Sequence, residues 1–160
     1  PEVADGGTTA TVIVLIDGAT LVHAQVGDSV ALLGGVMSDG DEDEVTFETL
    51  LPEHSATNED EYLRVLSHPR GKELQFVYEA AELIDAGKAP QVFKRVNGQV
   101  ELDVAARRLA EVHGTLPKNA HGDLPAIIIT PEEAGFEQQS LAMTRSIGDF
   151  YMQRFGVTHK

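Results

Sequence analysis

The sequence predicts an α+β fold with antiparallel sheets. Two observations carry this. Short β-branched runs separated by tight-turn dipeptides fill the first third of the chain, and apolar residues at helical spacing fill its middle.

The elements follow in order. A Gly6-Gly7-Thr8-Thr9 cluster opens onto residues 10–16, a β-branched apolar run that reads as a strand buried on both faces. Asp17-Gly18 is a hairpin signal, and residues 20–26 form the second strand, ending at Gly27-Asp28-Ser29. Residues 30–33 read as a third strand with a turn at Gly34-Gly35, completing a meander. An acidic loop over 38–44 precedes a short strand at 45–47. Asn58 or Thr57 caps a helix running through Leu66, with Glu59, Asp60 and Glu61 in its first turn, where carboxylates suit the helix dipole. His68-Pro69-Arg70-Gly71 breaks it.

Leu74, Val77, Tyr78, Ala81 and Ile84 follow helical spacing, with Gly87 as the stop. Residues 91–96 and 99–102 flank Asn97-Gly98 as a hairpin with a type I′ turn. Leu102, Ala105, Ala106, Leu109 and Val112 repeat the helical stripe up to Gly114. Residues 115–123 read as loop and 126–129 as a strand. Thr130-Pro131-Glu132-Glu133 reads as a helix start with Pro at the first position.

Composition narrows the function classes. The 160 residues carry 26 acidic and 12 basic side chains, a formal net charge of −14. Fourteen of the acidic residues and no Lys or Arg precede Arg64. Such a chain lacks the clustered cations that nucleic acid or an anionic membrane requires, so neither is an expected partner. No apolar run approaches a membrane span and no signal peptide is visible, so an intracellular location is expected. Zero Cys excludes disulfides, thiolate metal sites and thiol catalysis. The apolar content of 42% suits a single domain. The chain opens on Pro1, so it is expected to be processed or cut from something longer.

Two segments are candidates for chemistry. In Val26-Gly27-Asp28-Ser29 a carboxylate follows an apolar strand on a Gly-loosened turn. It can face a metal, or accept amide hydrogen bonds as a turn Asp. Leu141-Ala142-Met143-Thr144-Arg145-Ser146-Ile147-Gly148-Asp149-Phe150 holds Arg, Ser, Gly and Asp together. It is either a polar loop near an anion site or a loop pinned by an Arg–Asp pair.

In order along the chain, Gly7-Thr8-Thr9-Ala10, Val26-Gly27-Asp28-Ser29, Leu51-Pro52-Glu53-His54-Ser55, Glu61 with Arg64, and the Leu141–Phe150 block resemble the metal-dependent protein phosphatase 2C family. The resemblance covers residues 6–66 and 140–157, and the last block is its most specific part. It implies strands of that family's antiparallel β-sandwich with flanking helices. It also implies hydrolysis of phosphoserine and phosphothreonine in phosphoprotein substrates by a water activated on Mg²⁺ or Mn²⁺.

The chain departs from the family pattern in several places. Val30 replaces the Arg expected after Gly-Asp-Ser, and Glu53 replaces the Asp of Asp-His. The 74 residues between Leu66 and Leu141 exceed the family's usual stretch, so residues 67–140 are expected to be a helical flap insertion within one partial domain spanning 1–160. The segments that carry the two-metal ligands, the proton-donating His and the phosphate-binding Arg are not in the chain. Asp39-Gly40 and His121-Gly122-Asp123 stand in the wrong order to replace them.

What the resemblance transfers is therefore narrow. Asp28 matches a ligand of an additional metal site. Arg145, Ser146, Gly148 and Asp149 match the block that closes the flap base. No catalytic residue is assigned. The chain is expected to be the central segment of a protein phosphatase, or alternatively a pseudophosphatase or truncated module that binds partners without catalysis. Its apolar strands lack the sheet that normally covers them, so self-association is expected.

Other metal readings fail. An EF-hand loop starting at Asp39 requires Gly and Glu where Glu44 and Leu50 stand, which leaves a solvated acidic loop. The six His show no ligand spacing. The helical stripes of 67–140 suit a small core, with a docking face for a partner as the other reading.

Overall fold

A computed structural model describes residues 6–39 and 42–160. The elements in chain order are β1 (Gly7–Thr8), β2 (Ala10–Ile16), β3 (Thr20–Val26), β4 (Leu32–Asp39), β5 (Glu42–Thr49), α1 (Glu59–Ser67), β6 (Gln75–Tyr78), α2 (Ala81–Asp85), β7 (Phe93–Val96), β8 (Gln99–Leu102), α3 (Val104–Val112), β9 (Ala126–Ile129), β10 (Ser140–Leu141), β11 (Ile147–Gly148) and α4 (Phe150–Gln153). The chain is thus α+β, and every strand ladder is antiparallel.

Local chemistry accounts for the elements that form as expected. Asp17-Gly18 and Asn97-Gly98 both take positive φ: Asn97-Gly98 closes the two-residue β7–β8 hairpin, and Asp17-Gly18 with Ala19 makes a three-residue loop between β2 and β3, where Ile16 pairs with Thr20. Asn58 caps α1 by accepting from the amides of Asp60 and Glu61. Asp103 caps α3 in the same way, through Ala105 and Ala106.

Elsewhere the structure corrects the sequence reading. Gly34 and Gly35 lie inside β4, paired with Phe47 and Thr46, and neither has the positive φ that would mark a glycine turn. The meander is therefore two separate hairpins, β2–β3 and β4–β5. The acidic stretch over 38–44 runs largely along β4 and β5, with residues 40 and 41 outside the described residues. The helix expected over 74–84 is strand β6 followed by the short α2. Phe76, Val77 and Tyr78 suit a strand, and β9 supplies the partner ladder. Thr130-Pro131 opens no helix. The Thr130 hydroxyl accepts from the Gln139 amide and the Thr130 amide donates to the Gln139 carbonyl, which ties this segment into the β9–β10 connection.

One apolar core runs from Ala56 to Val157. It joins Val65 of α1, Phe76 and Tyr78 of β6, Ile128 of β9, and Met152, Phe155 and Val157 near the C-terminal end. Tyr62, Phe76 and Phe93 form an aromatic cluster across it, with Tyr62 and Phe93 stacked at 4.3 Å. Residues 67–140 contribute four strands and two helices to this shared core rather than a core of their own.

The two N-terminal hairpins stand outside it. The expected double burial of β2 is not observed: Val12, Ile13, Val14, Leu15 and Ile16 are all exposed, as are Val36, Val45 and Phe47 of β4–β5. Two sheets packed face to face are therefore not seen among the described residues.

Candidate functional site

The Gly27-Asp28 turn is held by His54. The Gly27 N–H donates to His54 Nδ1 at 3.2 Å, and the His54 N–H donates to the Gly27 carbonyl at 3.1 Å. Only glycine fits here. Its φ is +107°, and a Cβ would lie 2.3 Å from Thr9 Cγ2. Burial lowers the His54 pKa, and the nearby Arg145 guanidinium lowers it further, so the ring is kept neutral and able to accept.

Asp28 follows on the same turn, half-buried. It lines a cavity of about 70 Å³ with Ser55, Thr57, Glu79 and Lys118. Glu53 lies beside that cavity, 3.5 Å from the Lys118 ammonium.

The dominant electrostatic feature is Glu61, on the buried face of α1. Its carboxylate accepts from Arg64 (Nη2, 3.0 Å), Arg145 (Nη2, 2.5 Å) and the Thr144 hydroxyl (2.6 Å). Arg64 also donates to the carbonyls of Gly156 and Thr144, both at 2.9 Å. The Thr144 amide donates to the His54 carbonyl at 2.8 Å. Burial by itself raises the Glu61 pKa. The hydrogen bonds from Arg145, Arg64 and Thr144 together outweigh it and hold the carboxyl at about 2.

The block from Leu141 to Phe150 is thereby locked to α1 and to the Asp28 turn. Arg145 pairs with Glu61 and not with Asp149, so the Arg–Asp pin read from the sequence is replaced by a longer-range one. Ser146 is fully buried, its amide donates to the Thr158 carbonyl at 2.9 Å, and among the described residues its hydroxyl has no hydrogen-bond partner. Gly148 crosses the Gly6-Gly7 backbone so closely that a Cβ would sit 2.3 Å from the Gly6 carbonyl oxygen. Asp149 takes a left-handed φ of 47° and donates its amide to Gly6 at 3.1 Å. The two glycine-containing segments thus form the β1–β11 ladder.

The described residues do not by themselves assemble a complete metal centre. Among the described residues no three His, Asp or Glu side chains converge as ligands. Asp28, the one residue matched to a metal ligand, lines a cavity with Lys118, whose ammonium lies 3.5 Å from Glu53.

Sequence reasoning named Glu61, Arg64, Asp28 and Arg145 but missed what joins them. His54 as the clamp on Gly27, and Lys118 beside Asp28, carried no local signal, because each acts across a gap of 27 or more residues.

A family model described as Protein phosphatase 2C matches residues 2–160. No curated protein and no solved structure matches the chain.

Proposed function

The chain belongs to the protein phosphatase 2C family, and we propose that it is the central segment of a metal-dependent serine/threonine phosphatase acting on phosphoprotein substrates. The observation that carries this reading is the Glu61–Arg145 pair. It ties the helix of the first matched segment to the most specific matched block, 84 positions away in sequence. On this reading β2–β5 are strands of the family's sandwich, and residues 67–140 are a flap insertion. Arg145, Ser146, Gly148 and Asp149 close the flap base. Asp28 is the residue offered to an additional Mg²⁺ or Mn²⁺ site.

Because no ligand set converges among the described residues, no hydrolytic step is derived for this chain by itself. The same scarcity of ligands favours a second reading, a pseudophosphatase or truncated module that binds partners without hydrolysis. No helix among the described residues is long and apolar enough to cross a membrane.

Turnover of p-nitrophenyl phosphate with Mn²⁺ tests the proposal. The 160-residue chain is expected to stay at background, and a longer form carrying Asp-Gly-His-Gly upstream and Asp-Gly and Asp-Asn downstream is expected to turn over. Robust hydrolysis by the short chain alone overturns the ligand argument. Absence of those segments from the full gene product sinks the enzyme reading and leaves the binding module.

A further inference from the structure

We infer that Arg70, Arg154 and Tyr151 form a phosphate-binding site that the chain's own Glu133 occupies in this structure. The inference stands whether or not the whole protein is a phosphatase.

Three donors converge on one carboxylate. Arg70, in the turn after α1, donates through Nη2 to Glu133 Oε1. Arg154, at the end of α4, places its Nη2 3.2 Å from Glu133 Oε2, and the Tyr151 hydroxyl donates to the same oxygen at 3.4 Å. The fit is incomplete. Charge-assisted N–H···O bonds close to about 2.7–2.9 Å, and both contacts on Oε2 are longer. Two donors share that oxygen because a carboxylate has only two. A phosphate group offers each of the three donors an oxygen of its own.

The donors are held in place by contacts other than Glu133. Arg70 forks onto Glu73, Nε to Oε1 at 2.8 Å and Nη2 to Oε2 at 2.5 Å. Its guanidinium lies 4.3 Å from the ring of Phe155, which is fully buried and so a fixed platform. The Arg154 guanidinium lies 5.9 Å from the same ring and 5.2 Å from that of Tyr151. Withdrawing Glu133 leaves two guanidinium charges against the one on Glu73, an excess of one positive charge on groups already oriented. The site is open to solvent: Arg154, its most accessible donor, is 43% exposed.

The segment that carries Glu133 is fastened at its base. Thr130 and Gln139 exchange the two hydrogen bonds already described. Between them the segment bonds to itself, the Phe136 amide to the Glu133 carbonyl and the Gln138 side chain to the Thr130 carbonyl, both at 3.0 Å. It meets α4 through Glu133 and through Phe136, whose exposed ring stacks on Tyr151 at 4.9 Å. Contacts between exposed charges are weak, so a phosphate in solution competes with Glu133 for the same donors. The apparent affinity of the wild type is reduced by the fraction of molecules in which Glu133 is withdrawn.

Line broadening of inorganic phosphate in ³¹P nuclear magnetic resonance, with the 160-residue chain at physiological ionic strength, tests this. Salt screens the long-range repulsion from the net charge of −14. Glu133→Ala and Glu133→Gln are both expected to broaden the signal saturably, with an apparent affinity at least about tenfold above that of the wild type. Glu133→Ala/Arg154→Met is expected to lose the effect. Acetate is expected to compete more weakly than sulfate, which is tetrahedral as phosphate is. In the wild type, saturating phosphate is expected to raise amide exchange over residues 131–138 as Glu133 is displaced. The inference is overturned if neither Glu133 variant broadens the signal saturably, or if both bind no tighter than the wild type. Binding that survives Arg154→Met places the ion elsewhere and overturns it too, and acetate competing as well as sulfate overturns the choice of phosphate. None of these readouts is turnover, so failure here is separable from failure of the proposed function.

Discussion

Replacing Glu61 by Ala is expected to lower the unfolding free energy by about 3–5 kcal/mol, the cost typical of removing one partner from a buried ion pair. The side chain is nearly fully buried, at 5% exposure, and it is the shared acceptor for Arg64, Arg145 and Thr144. Its loss leaves two guanidinium groups packed against the core without their counter-charge. Glu61→Gln keeps the volume but not the charge, and is expected to destabilise nearly as much. The double variant Glu61→Met/Arg145→Met is expected to recover part of the loss, because it removes Arg145 together with the carboxylate and leaves only Arg64, which still donates to the Gly156 and Thr144 carbonyls. Denaturant midpoints measure all three. A change below about 1 kcal/mol for Glu61→Ala, the range typical of exposed pairs, would sink the argument.

The same residue sets a pH dependence. Its carboxyl sits at about 2 in the folded chain against an ordinary 4.5. A depressed carboxyl stabilises the fold above its unfolded pKa. The contribution is therefore complete above pH 4.5 and is lost as the pH falls from there toward 2. A depression of that size corresponds to about 3 kcal/mol. Glu61→Gln should flatten the acid limb of a stability profile. The slope that remains is assigned to Glu73 and Glu133, whose carboxyls the Arg70 guanidinium also holds below the usual range.

What the sequence disclosed divides by the range of the interaction. Asp17-Gly18, Asn97-Gly98 and the Asn58 cap were legible because each is decided within four residues. The stretch over 74–84 was misread for a physical reason. Apolar residues at helical spacing are also produced by a strand, a turn and a short helix in succession. The ladder with β9, some 50 residues later, decided between them. Gly34-Gly35 was read as a turn because glycine permits one, yet nothing in the pair requires it once β5 offers a partner. In the candidate site the ordered motifs named segments that the structure brings into contact. The pairing of Arg145 with Glu61, the His54 clamp and the Lys118 contact are long-range and became visible only in three dimensions. The expectation that the strands lacked a covering sheet followed from the missing family segments, and the exposed faces of β2–β5 agree with it.

Those faces lead to a prediction about assembly: the 160-residue chain is expected to self-associate at tens of micromolar, through β2–β3. Side chains alternate across a strand, so Val12, Val14 and Ile16 point to one face of β2 and Ile13 and Leu15 to the other, and all five are exposed. Among the described residues the sheet has two strands, so both of its edges also offer unpaired backbone groups. A two-stranded ribbon is marginal in water until a third strand or a second layer joins it. The net charge of −14 opposes association, but its location decides the outcome. From Ala10 to Val26 the only ionisable side chains are Asp17, at the hairpin turn, and His23. Strand β5, by contrast, carries Glu44 and Glu48 beside its exposed Val45 and Phe47, which guards that hairpin against pairing with a copy of itself. Raising the salt concentration should therefore strengthen association, by screening the rest of the molecule while leaving the apolar ribbon unchanged. Val14→Glu is expected to shift the population to monomer in sedimentation velocity, and Val45→Glu to leave the assembly largely in place. A monodisperse wild-type monomer at high concentration and high salt would refute the prediction, and an equal effect of the two substitutions would show that β2–β3 is not the contact.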